Sequence, residues 1–178
     1  HDFPNVHLVG VVSAEHGLKL PDFRAAEHTL QRLVQVAGRA GRSGERGRVL
    51  VQSYTPEHYA LPYLLTHDWL GFARTELELR EDRGFPPAGH LALLELRARD
   101  AILAERDLGL LRTAVERWVE AQGRAAFHVR GPGPAPMKKI KDVVRFHLLI
   151  GCESRVALRD LLRELRSLPE CPEKLIID

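Results

Sequence analysis

Val143-Val-Arg-Phe-His-Leu-Leu-Ile-Gly151 decides how the second half of this chain is read. The run is apolar and β-branched enough to predict a strand. Ser154 follows as a helix cap, and Leu158, Leu161, Leu162, Leu165 and Leu168 then recur at three- and four-residue steps, one face of an amphipathic helix. Pro169 to Pro172 turns the chain, and Lys174 to Ile177 predicts a last strand. Upstream of the quoted run, Ala126 to Arg130 reads as a short strand and Ile102 to Ala121 as a helix. Leu108, Leu111, Val115, Trp118 and Val119 form the stripe of that helix. Leu91 to Arg99 reads as a strand. The resulting order is β-α-β-β-α-β, a split βαβ or ferredoxin-like sandwich. Gly131 to Lys141, with three prolines, three lysines and one methionine, is expected as a loop joining the two middle strands.

The first half has a different rhythm. Val6 to Val12 (VHLVGVV) is nearly continuous apolar sequence, which predicts a strand buried on both faces. Asp22 is expected to cap a helix whose face is Phe23, Ala26, Leu30, Leu33, Val34 and Ala37. Gly38 and Gly41 should end it. Arg48 to Tyr54 reads as a second strand, and strand-helix-strand at this spacing predicts parallel pairing at the end of an α/β layer. Residues 57–83 read as two helical pieces broken near Thr66-His67-Asp68, with Asp68 capping the second. Trp69, Phe72, Ala73, Leu77 and Leu79 would form its apolar face. Gly84-Phe85-Pro86-Pro87 stops the helix, because two adjacent prolines remove two amide donors and disfavour helix before them.

Composition narrows the function classes. The 178 residues are 44% hydrophobic and 28% charged, which predicts a packed core and excludes wholesale disorder. No apolar run approaches the roughly 20 residues needed to span a bilayer, and His1 to Asn5 have neither the basic start nor the apolar stretch of a signal peptide. Beginning on His1 just ahead of a strand, the sequence is expected to be an excised fragment. Cys152 and Cys171, without CxxC spacing, read as reduced thiols of a cytosolic protein. No metal ligands are assigned. The net charge of +2 is too small to argue for nucleic acid. Its distribution says more: Arg39, Arg42, Arg46 and Arg48 form one basic cluster, and Lys138, Lys139, Lys141 and Arg145 another. Each reads either as a solvated face or as a phosphate contact.

The segment with the most chemical content is Gln35-Val-Ala-Gly-Arg-Ala-Gly-Arg42. Glycines let a backbone approach a ligand closely, and guanidinium groups suit phosphate oxygens. On spacing alone, a Gly-terminated helix with surface arginines explains the segment equally well.

Gln35 to Arg42 resembles motif VI of superfamily-two helicases, Q-x-x-G-R-x-G-R. His1-Asp2-Phe3-Pro4-Asn5-Val6 resembles the tail of motif V in the replication-restart helicases, the primosomal protein N-prime (PriA) family. Asp22-Phe23-Arg24-Ala25-Ala26-Glu27 is similar to that family's link between motifs V and VI. Gly131-Pro-Gly-Pro-Ala-Pro136, the Val144-Arg145-Phe146 strand and Leu175-Ile-Ile-Asp178 resemble its C-terminal domain. One position departs: Val144 stands where relatives place an aromatic, so base stacking is not expected there, and Phe146 reads as core.

The resemblance implies a RecA-like helicase domain 2 ending over 1–56, with the motif V tail and motif VI. A helical connector over 57–87 and a C-terminal α+β DNA-binding domain over 88–178 would follow. Arg42 would be the arginine finger, joined by Arg39 at the γ-phosphate of ATP with its Mg2+. Gln35, Gly38, Gly41 and Asp2 would line the nucleotide side. Lys138, Lys139, Lys141 and Arg145 would grip DNA. The Walker A and B motifs do not occur here, so this piece alone is expected to hydrolyse no ATP. Zinc would sit in an upstream Cys-rich insertion. Implied partners are branched, fork-like and single-stranded DNA, other primosome proteins and the single-stranded DNA-binding protein, in the cytoplasm at the nucleoid. The alternatives are a catalytically inactive restart factor acting as a DNA and protein scaffold, or an unrelated nucleic-acid-binding module.

Overall fold

Val9 and Val11 of the first strand lie beside Val49 and Val51 of the second in parallel register, as the strand-helix-strand spacing predicts. The computed structural model describes residues 6–40, 47–123, 127–140 and 142–178, with the backbone alone over 137–140. Asp2, Gly41, Arg42, Arg46 and Lys141, and the side chains of Lys138 and Lys139, therefore lie outside the described residues. The chain divides into two compact units, His1–Glu78 and Leu79–Asp178. Both mix helices and strands.

In the first unit the order is β1 (Leu8–Val11), α1 (Glu15–Leu18), α2 (Ala25–Ala37), β2 (Arg48–Val51), α3 (Ala60–Thr66) and α4, which starts at Trp69 and runs to Glu81. Parallel neighbours need a crossover, and α2 lies between them in sequence. Ala26, Leu30 and Leu33 of α2 are buried with Ala60, Leu61, Leu64 and Phe72, and Val11 and Val51 pack against this cluster. Among the described residues of this unit, only one face of the sheet is covered. Leu8 is 58% exposed, Val12 77% and Leu50 62%, so β1 is not buried on both faces as its continuous apolar run predicts. The physical reason is alternation: successive side chains point to opposite faces, and among the described residues of this unit only one face receives the helices' core cluster.

Three local details differ from the sequence reading. A short α1 precedes α2, and Gly17 permits their close approach, since a Cβ there would lie 2.1 Å from Thr29 Oγ1. Asp22 is not the cap of α2. Its Oδ1 accepts from Arg24 N at 2.8 Å, a turn that delays the helix to Ala25. Third, of the five residues expected on the apolar face of α4, only Phe72 is buried; Glu76 is buried with it, accepting a hydrogen bond from Tyr59 Oη. Tyr63 Oη pairs with Thr75 Oγ1 at 2.7 Å. Polar partners thus set the orientation of α4, leaving Trp69 and Leu77 exposed. Asp68 does cap this helix, accepting from Gly71 N at 2.8 Å.

The second unit follows the order β3 (His90–Ala98), α5 (Ala101–Ala121), β4 (Phe127–Ile140), β5 (Val143–Cys152), α6 (Arg155–Leu165) and β6 (Leu175–Ile177). Its four strands lie in the order β4-β5-β3-β6, each pair antiparallel. Asp100 caps α5, accepting from Ile102 N and Leu103 N, and Ser154 caps α6 through Ala157 N. Each such cap is worth about 1 kcal/mol. The stripes fall where the sequence puts them: Leu108, Leu111 and Val115 of α5 and Leu158, Leu161 and Leu165 of α6 meet Leu94, Leu148 and Ile150 of the sheet. Phe146 and Val144 belong to the same core. Burial of one such leucine contributes roughly 1.5–3 kcal/mol.

Gly131 to Ile140 is not a loop but the continuation of β4. The pairing is irregular. Arg130 lies opposite Leu149 and Gly133 opposite His147; Pro134 lies opposite Phe146 and Lys139 opposite Val144. Residues 135–138 therefore stand against Arg145 alone, a bulge of three extra residues by that register. Pro132, Pro134 and Pro136 cannot donate to the ladder, which confines such a run to edges and bulges, and β4 is the edge strand.

Candidate nucleotide-sensing and nucleic-acid-binding sites

Helix α2 ends at Ala37 with Gly38 as its C-cap in right-handed conformation, φ −65° and ψ −5°. Its N–H bonds to Val34 O at 2.9 Å, and the next two amides, Arg39 and Ala40, bond back three residues at 3.1 Å. The chain thus leaves the helix through tightened turns. Gly38 is not needed for a left-handed backbone here, and a Cβ at this position would meet, among the described residues, only Val34 O and Gln35 O, at 3.4 and 3.8 Å. Gln35 and Arg39, four positions apart, are both exposed and fall on neighbouring positions of this helix end. The structure thus presents an amide and a guanidinium at one glycine-bearing terminus. Gly41 and Arg42, which follow, lie outside the described residues.

The second site lies on the sheet of the second unit, on the face opposite α5 and α6. Strand alternation puts Leu94, Leu96, Phe146 and Leu148 in the core and Leu93, Glu95, Arg97, Arg145, His147 and Leu149 on the other side. Glu95 lies opposite His147 in register, and Arg97 opposite Arg145. Glu95 is 8% exposed and gathers three basic groups. His147 Nε2 lies 2.8 Å from its Oε2, Arg97 Nε donates to its Oε1 at 2.6 Å, and Arg145 stands 3.7 Å away. Burial works against the Glu95 charge. The hydrogen bonds from His147 and Arg97, with the Arg97 and Arg145 charges, outweigh it and hold the carboxyl below its ordinary range. Among the described contacts of Glu95, one carboxylate faces two guanidinium groups. Such a group offers charge-assisted donors to phosphate oxygens.

Arg145 is thus placed in a cationic cluster and beside the bulge carrying the Lys138 backbone. Val144 points into the core at 8% exposure. Sequence reasoning missed Glu95, Arg97 and His147. Their signal was the period-2 alternation over Leu94–Arg97 and Val144–Leu148, where the polar residues take every second position, on the face away from Leu94, Leu96 and Leu148.

By fold the chain is a mixed α/β protein whose second unit lays two helices against one face of an antiparallel sheet. It belongs to the primosomal protein N C-terminal domain family, whose pattern matches residues 81–176. Similar proteins are named replication restart protein PriA. That of Bacillus subtilis (strain 168) is 38% identical over 168 residues, covering 92% of this chain and 20% of the relative. That of Haemophilus influenzae is 38% identical over 164 residues, covering 92% of this chain and 22% of the relative. The Synechocystis protein is 33% identical over 177 residues, 99% of this chain and 21% of its own length. The chain thus spans about a fifth of the length of these relatives. No helix among the described residues is long and apolar enough to cross a membrane.

Proposed function

We propose that the chain is the C-terminal part of a bacterial replication-restart protein, similar to a 3′-5′ superfamily-two DNA helicase, that binds stalled forks and helps assemble the primosome. In this reading residues 1–56 end helicase domain 2, 57–87 connect, and 88–178 form a ferredoxin-like DNA-binding domain. The strand order β4-β5-β3-β6 with α5 and α6 on one face supports the last assignment. The parallel β1–β2 pair around α2 supports the first.

The observation that carries the DNA-binding reading is the cationic face around Arg145, beside the lysine-bearing arm of β4. Phosphates of a branched or single-stranded DNA lie along Lys138, Lys139, Lys141 and Arg145. ATP with Mg2+, held by a neighbouring lobe, would supply the phosphoryl group; Arg42 and Arg39 would stabilise charge at its γ-phosphate, with Gln35, Gly38, Gly41 and Asp2 along the nucleotide side. The exposed Gln35 and Arg39 fit that task. Zinc does not fit here: Cys152 is buried in the core, and among the described residues no group of three or more His, Cys, Asp or Glu can hold a metal. Zinc belongs to an upstream insertion. Other primosome proteins and the single-stranded DNA-binding protein are its partners, at the cytoplasmic nucleoid.

The test is the salt dependence of fork-DNA binding by the full chain and by a variant with Lys138, Lys139 and Lys141 all changed to alanine. Loss of three phosphate contacts should weaken binding and reduce the salt slope by about 2 to 3. An unchanged affinity and slope would make the arm a structural element only.

A further inference from the structure

Phe85 closes one end of the same sheet face. It sits in a turn held by Phe85 N to Arg80 O at 2.8 Å and Gly89 N to Phe85 O at 3.1 Å. The guanidinium of Arg130, on β4, lies over its ring, 5.2 Å from the centroid. Leu91 and Leu149 form the apolar floor beneath, with Gly151 between the strands and Arg83 at the rim. A Cβ on Gly151 would come within 3.3 Å of Leu91, so glycine keeps the floor open. The recess is shallow and open to solvent.

From this geometry we infer that the recess holds one unpaired base of a single-stranded DNA whose phosphates run toward Arg145 and Arg97. The inference rests on the DNA-binding reading above and adds the base contact to it. Unstacked bases lie on aromatic rings and on the planes of arginine guanidinium groups. Arg130 on Phe85 makes such a plane, over an apolar floor, without a carboxylate among the described lining residues. A shallow recess suits a flat base, not an enclosed ligand. Arg130 lies opposite Leu149 and Arg145 is four residues further along the same β5 strand, roughly 13 Å. Base recess and cationic cluster therefore sit along one strand direction, as a nucleic-acid chain with alternating base and phosphate contacts requires. A base paired in a duplex cannot enter, so the recess selects single strands.

The test uses the 178-residue chain and three probes of equal length: a single-stranded oligonucleotide carrying a fluorescent adenine analogue, its abasic counterpart and a blunt duplex. Phe85→Leu keeps apolar volume in the turn; Arg130→Gln, at an exposed position, keeps the protein folded. Each should weaken binding of the base-bearing single strand by roughly 5- to 150-fold and release the analogue's quenching. Phe85→Leu should leave abasic and duplex affinities unchanged. Equal losses on base-bearing and abasic strands would overturn the base contact, as would no loss in either variant. Displacement of the single strand by an acidic peptide, with quenching insensitive to both substitutions, would reassign the recess to protein. If the chain bound none of the probes, the DNA-binding reading itself would fail. If it bound them and only the lysine substitutions mattered, this inference alone would.

Discussion

Glu95 and His147 face each other across β3 and β5, paired in register with 2.8 Å between Oε2 and Nε2. An ionised carboxylate can only accept hydrogen bonds, so the imidazole donates through Nε2. The same carboxylate holds Arg97 and Arg145, which would otherwise stand as like charges directly opposite one another, a destabilising arrangement. Glu95→Gln keeps the shape and removes the charge. The second unit should lose roughly 1–3 kcal/mol of stability, read as a lower urea midpoint. An unchanged midpoint would mean that the cluster contributes nothing to the fold.

Glu15 predicts an acid response in the first unit. It is buried, accepts from Ser13 Oγ at 2.8 Å and from Tyr54 N, and so ties the end of β1 to the chain leaving β2. Hydrogen bonds from Ser53 and Ser13 lower its pKa from 4.5 to about 2. Because the folded pKa lies below the unfolded one, this stabilisation is present above pH 4.5 and is lost as pH falls toward 2. The denaturation midpoints of the protein and of Glu15→Gln should therefore differ at neutral pH and converge between pH 4.5 and 2. A gap that stayed constant would exclude Glu15 as the titrating group.

Gly131 and Gly133, two residues apart, should respond oppositely to alanine. Gly131 has φ +102°, and a Cβ there would meet His147 O at 2.7 Å; Arg112 Nη1 also donates to its carbonyl at 2.5 Å. Gly133 has nothing within 4 Å of a Cβ. Gly131→Ala should cost about 1–3 kcal/mol, and Gly133→Ala should stay within about 0.5 kcal/mol. Equal effects in thermal denaturation would show that the register shift between Arg130 and Gly133 does not depend on the close approach at Gly131.

The parts of this structure that were legible in the sequence are those whose pattern reports burial directly. The leucine stripes of α5 and α6, the caps Asp68 and Ser154, and the parallel pairing of β1 with β2 all follow from periodicity and spacing. Three readings failed for physical reasons. The Val6 to Val12 run looks equally apolar on both sides, yet among the described residues its sheet receives core packing on only one face. Asp22 has the chemistry of a cap but spends it on the turn at Arg24. Three prolines suggested a loop over 131–141, whereas an edge strand tolerates them by bulging. The Glu95 cluster was hidden differently, because Glu95 and His147 are 52 residues apart in sequence and only strand register brings them together.

The helicase reading is tested most directly by DNA-stimulated ATP turnover in the full-length protein with Arg42→Ala, alongside Arg39→Ala. An arginine serving the transferring phosphoryl group is worth roughly 10³–10⁵ in rate. Arg42→Ala should therefore reduce turnover severely while fork-DNA affinity stays unchanged. Turnover at the unsubstituted rate would contradict the placement of these arginines at a nucleotide.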